Sequence, residues 1–114
     1  MLRVPADYPN ETFNSPTVIS GGDNPDVMKW RNQPKQPMES YALEALRKFE
    51  GNILIIESEK DDRVPHQTIL NYTNAIKDKS KLTYILMKDA PHSVEGKFRD
   101  EVGRILTKWF EAKF

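Results

Sequence analysis

Two residues of this chain have the types and the spacing that proton-transfer chemistry needs. Asp61 sits in the polar stretch SEKDDR, which follows the apolar run NILIIE, and His92 sits in KDAPHSV, which follows the apolar run LTYILM. A carboxylate bonded to one imidazole nitrogen fixes the tautomer and leaves the other nitrogen to take a proton from a nucleophile. If the two apolar runs are neighbouring parallel strands, they end at the same sheet edge and lie ~4.8 Å apart, so the acid reaches the ring. Taken singly, each residue has a plainer reading: His92 as a loop histidine, Asp61 as the cap of the next helix. Their joint placement at two strand ends favours an acid and base pair. Asp62 reads as a solvated neighbour. His66 and His92 are the chain's two histidines and have no metal-ligand spacing, so neither a zinc site nor any other cofactor is expected.

The elements that must position this pair follow from periodicity. Before residue 40 the chain is loop-like: six of its eight prolines (Pro5, Pro9, Pro16, Pro25, Pro34, Pro37) fall there with Gly21 and Gly22, and no apolar period is sustained. TVI at 17–19 reads as a short strand and DVMKWR at 26–31 as one helical turn. From residue 41 the signals become regular. SYALEALRKFEG reads as a short amphipathic helix with Ala42, Ala45, Leu46 and Phe49 on one face and Gly51 as a left-handed cap. NILIIE has the continuous apolar character of a strand covered on both faces. Pro65 is expected at the first position of a second helix carrying Ile69, Leu70, Thr73 and Ile76 on one face. After LTYILM, a last helix from about Gly96 gathers Phe98, Val102, Ile105, Leu106, Trp109 and Phe110 on a broad face, with Asp100 and Glu101 near its start and Lys108 and Lys113 near its end. The expectation is an α/β chain: residues 1–40 a connecting or cap-derived segment, 41–114 a βαβ unit of two parallel strands flanked by helices. Two parallel strands rarely complete a sheet, so this unit reads as one end of a larger one.

Composition narrows the classes of function. Lys plus Arg and Asp plus Glu number 17 each, so no net field draws nucleic acid or an anionic membrane surface. The chain lacks cysteine, which excludes disulfides and thiolate chemistry. No apolar run near 18 residues is present and MLRVPADYPN is no signal peptide, so a soluble, cytoplasmic chain is expected. The sequons at Asn10 and Asn71 then read as chance matches.

NILIIESEKDDRVPH, followed by LTYILMKDAPHSV and a closing amphipathic helix, resembles the C-terminal end of an α/β-hydrolase over roughly residues 41–114. That family supplies the triad acid after its penultimate core strand and the histidine after its last. Asp61 fits the family's Asp-x-x-Val-Pro pattern through Val64 and Pro65, whereas Asp62 does not, and Asp89-Ala90-Pro91-His92 matches the histidine loop. The resemblance implies a serine hydrolase acting on an acyl substrate, with Asp61 as triad acid and His92 as general base. Two departures stand out. Ser58 occupies a position where the family usually has glycine, and no G-x-S-x-G nucleophile elbow occurs in the 114 residues. Ser20 in VISGGD lacks the flanking glycine and a following helix. The chain alone is therefore expected to be inactive for want of the serine and the oxyanion donors. A receiver domain, suggested by ILIIESEKDD, fits less well because its further acid-ended and lysine-ended strands are missing. The remaining alternative is a non-catalytic remnant that associates through the open edge of its first strand, as a homodimer or with a complementing chain.

Overall fold

A computed structural model describes residues 2–3 and 25–114. The seven elements used below are β1 (Leu2–Arg3), α1 (Pro25–Arg31), α2 (Tyr41–Lys48), β2 (Ile53–Lys60), α3 (His66–Ala75), β3 (Leu82–Pro91) and α4 (Lys97–Lys113). Short 3₁₀ turns at Pro37–Glu39 and Lys79–Lys81 join them. The proposed strand at 17–19 lies outside the described residues, as does Ser20. The fold is the small α/β arrangement expected, a βαβ unit with its strands parallel. One addition comes from the segment read as loop: Leu2 and Arg3 pair in parallel with Ile55 and Ile56, giving the sheet order β1-β2-β3.

β2 is central, and Ile53 through Ser58 are all buried. Alternation sends its side chains to two cores. Ile53 and Ile55 join Leu43 of α2, Val64, and Ile69, Tyr72 and Ala75 of α3. Leu54 and Ile56 join Met87, Ala90 and Trp109, with Phe98, Val102, Ile105 and Leu106 of α4 packed around them. Phe110, expected on that face of α4, is 51% exposed and instead meets Trp109 edge-on at 5.4 Å. The helix turns its stripe just past Phe110, since Trp109 already fills the sheet side.

Local chemistry accounts for the helix ends, with two departures from expectation. Ser40 caps α2, its hydroxyl accepting from the Leu43 amide at 3.1 Å. α2 ends through Phe49 at φ −73°, so no left-handed residue closes it. Glycine at 51 serves another need: a Cβ there would fall 2.6 Å from the Phe49 ring. Pro65 is the N-cap of α3 rather than its first residue, because its ψ of 154° is still extended. The predicted face of α3 also shifts, to Thr68, Ile69, Asn71, Tyr72 and Ala75, with Leu70 at 40% exposure. The reason is that residues 31–35 lie along it. Thr68 Oγ1 donates to the Arg31 carbonyl, while Asn71 accepts from the Lys35 amide and donates to the Gln33 carbonyl. Asn71 is thus buried and bonded, in keeping with a chance sequon.

The end of β3 is re-aimed before it reaches the histidine. The ladder runs in step from Ile53↔Leu82 to Ser58↔Met87, then resumes only at Lys60↔Pro91, so β3 spends extra residues between these points. Asp89 occupies this bulge at φ 63°, a left-handed position that aspartate tolerates better than most side chains. Its amide donates to Glu59 Oε1 at 3.0 Å and its carboxylate meets Lys60 Nζ at 3.3 Å. Both ties anchor the bulge to the neighbouring strand and turn Pro91 and His92 toward the loop after β2.

Candidate functional site

The loop after β2 is built around one carboxylate. Asp61 Oδ1 accepts the backbone amides of Arg63 and Val64, each at 2.8 Å, an Asx turn that folds residues 61–64 over the start of α3. Its side chain is only 3% exposed. His92 approaches from the end of β3, with Nδ1 at 3.0 Å from Oδ2 and 3.1 Å from Oδ1. The structure thus brings together the two residues singled out from sequence, one from each neighbouring strand end. With Nδ1 facing a carboxylate, the neutral ring carries its proton there and Nε2 becomes the basic nitrogen. His92 is 31% exposed, so the ring is accessible while its acid is not. Asp62 is exposed and outside this arrangement. Among the described residues no cluster of three or more His, Asp or Glu side chains is placed to hold a metal ion, and no helix is long and apolar enough to cross a membrane.

The prolyl oligopeptidase family matches residues 13–114. The chain belongs to that family, an α/β-hydrolase family of serine peptidases. A solved structure described as a dipeptidyl aminopeptidase IV from Bacteroides ovatus superposes with a TM-score of 0.61 at 21% identity, over 98% of this chain and 15% of its own. That likeness is one of fold. The chain therefore spans about 15% of the length of that relative. No curated protein matches it.

In this prolyl oligopeptidase family member the sequence reading missed a second histidine–carboxylate contact. Glu57 is 6% exposed on β2, facing the α3 side with Ile55. His66 Nδ1 lies 2.9 Å from its Oε2, and the Tyr84 hydroxyl donates to its Oε1. The available signal was an acid closing a run of buried apolar residues, with a tyrosine in the next strand. Only the register, which sets Tyr84 beside Ile55, reveals the diagonal contact. Burial, then the Glu57 hydrogen bond and charge, pushes the Tyr84 phenol well above its usual range. A raised folded-state value means that its contribution is fully present below about pH 10 and is lost as the pH climbs beyond. Tyr84→Phe is therefore expected to flatten the alkaline decline in thermal stability between about pH 10 and 12. Parallel curves for variant and parent would show that Tyr84 contributes nothing to it.

Ser58 gives another departure a measurable cost. Its hydroxyl is buried at 1% exposure and, like Trp109 Nε1, has no hydrogen-bond partner among the described residues. At this position the α/β-hydrolase pattern has glycine, which brings no hydroxyl to desolvate. Ser58→Ala is expected to stabilise the chain by about 1 kcal/mol, read as a higher urea midpoint at unchanged slope. A lower midpoint would mean that the hydroxyl is satisfied in solution.

Proposed function

We propose that these residues supply the acid and the general base of a serine-peptidase triad, Asp61 and His92, and that the nucleophile comes from a G-x-S-x-G elbow outside the 114 residues. In this reading Nε2 of His92 takes the proton from the serine hydroxyl as its oxygen bonds to the scissile carbonyl carbon. Asp61 holds the ring and stabilises the imidazolium that forms. The C–N bond then breaks, His92 returns the proton to the departing amine, and water cleaves the acyl ester by the same relay. The observation that carries the reading is the 3.0 Å contact between His92 Nδ1 and a buried carboxylate whose other oxygen is held by two amides. A peptide is the substrate class we propose, supported by the family and by the peptidase name under which the Bacteroides ovatus structure is described. By itself the chain lacks the covalent and oxyanion contributions and is inactive or nearly so.

Labelling with a fluorophosphonate serine-hydrolase probe, read by intact mass and peptide mapping, tests this directly. The purified chain should take up no label while an active serine hydrolase in the same tube does. An adduct on any serine of this chain would place the nucleophile within it and refute the proposal.

A second reading has its own observation. β1 pairs with only Ile55 and Ile56, and among the described residues no other strand occupies that side of β2. A sheet edge of this kind accepts a further strand, so the alternative is a non-catalytic module that dimerises, or joins a complementing chain, across β2. Light scattering on the purified chain tests its homodimeric form: a stable dimer favours the module, and a monomer excludes self-association across β2.

A further inference from the structure

We infer that Arg31 is a positioning residue for the Asp61–His92 pair, acting through the peptide group between Arg63 and Val64. Arg31 closes α1, in the stretch that composition assigns to connecting chain, and is 2% exposed. A guanidinium at that depth is tolerable only if its N–H groups find acceptors. Its Nη1 donates to the Arg63 carbonyl at 2.9 Å. That carbonyl belongs to the same peptide unit as the Val64 amide, which donates to Asp61 Oδ1 at 2.8 Å. The order is thus guanidinium, carbonyl, amide, carboxylate, imidazole, each group bonded to the next. Pulling electron density toward the carbonyl oxygen makes the amide on the far side a stronger donor, because hydrogen bonds in series polarise one another. A positive charge is thereby coupled to a buried carboxylate without touching it.

The arrangement has a steric side as well. Residues 61–64 are held locally by the Asx turn, by the bond from the Asp61 amide to the Ser58 carbonyl and by the burial of Val64 in the core. Arg31 fastens the loop from the opposite direction, and α1 is itself fixed to α3 by the bond from Thr68 Oγ1 to the Arg31 carbonyl at 3.0 Å. A segment far away in sequence thus decides where the acid sits under the histidine. The inference rests on the triad reading for its catalytic meaning, but the bond sequence itself is measurable without turnover.

The experiment is nitrogen and amide-proton NMR on the full chain, comparing Arg31→Met, Arg31→Lys and Thr68→Val with the parent. Arg31→Met should shift the Val64 amide proton upfield and speed its exchange about tenfold, the loss of one charge-assisted bond. It should also lower the fraction of His92 carrying its proton on Nδ1. Arg31→Lys, which keeps the charge and one donor, should recover part of both signals. Thr68→Val loosens α1 without breaking the series and should leave the His92 tautomer in place, which guards against a merely global effect. The inference is overturned if Arg31→Met leaves Val64 and His92 unchanged, or if Thr68→Val moves them as much. Failure of the triad reading would appear elsewhere, as turnover in a serine-bearing enzyme that survives Asp61→Asn.

Discussion

Leu54→Ala is expected to cost the chain about 2–5 kcal/mol, a large share of the 5–15 kcal/mol that holds a typical domain folded. Leu54 is completely buried on the central strand, on the face where β2 meets α4. Its neighbours there, Met87, Ala90 and Trp109, come from β3 and α4. Truncation leaves a cavity between strand and helix, and it cannot collapse easily because β2 is fixed from behind by the α2 and α3 layer. The contrast is Leu86→Ala, on the edge strand at 47% exposure, where a change below about 1 kcal/mol is expected. Urea unfolding followed by the fluorescence of buried Trp109 measures both. Equal losses at the two positions would mean that β2 is not the element on which both layers depend.

How much of this was legible in the sequence divides along one line: whether the signal is local. Four buried apolar residues in a row on β2 and the stripe on α4 are carried by short-range apolar pattern, so strand and helix could be read directly. Asp61 and His92 were legible because each follows such an element and sits in a family motif. β1 could not be read, since two residues carry no period and Leu2–Arg3 is a strand only by pairing with Ile55 and Ile56. The face of α3 was misread because polar Thr68 and Asn71 are buried by bonds to the backbone of residues 31, 33 and 35, a partner that periodicity does not see. Glu57 and Arg31 were missed for the same reason. The first needs the β2–β3 register to meet Tyr84, and the second needs α1 docked against the loop after β2. A long-range contact is legible where both partners sit in recognisable motifs at strand ends, as Asp61 and His92 do, and invisible to spacing where they do not.

Asp61→Asn should leave the fold nearly intact and, on the triad proposal, remove the acid that the proposed activity needs. The amide oxygen of asparagine can still accept from Arg63 and Val64, so the Asx turn persists and the unfolding midpoint should change little. What changes is the group facing His92. At 3.0 Å from Nδ1, where the carboxylate accepts a proton's hydrogen bond, the asparagine would present its NH₂ as a donor. Two donors cannot share that contact, so the ring is driven to carry its proton on Nε2 and Nδ1 becomes the acceptor. A ring in that tautomer has no lone pair where the triad proposal sends the serine proton. In an enzyme that supplies the serine, kcat should fall by about 10⁴-fold, the scale seen when a triad acid is replaced by its amide. The tautomer itself can be read in this chain alone by ¹⁵N NMR of the His92 ring, with Nδ1 changing from protonated to bare. If Nδ1 keeps its proton in the variant, the carboxylate is not what orients the ring. If the tautomer flips but turnover in the serine-bearing enzyme persists, His92 is not its base. The two readouts together separate geometry from catalysis, which rate measurements alone do not do.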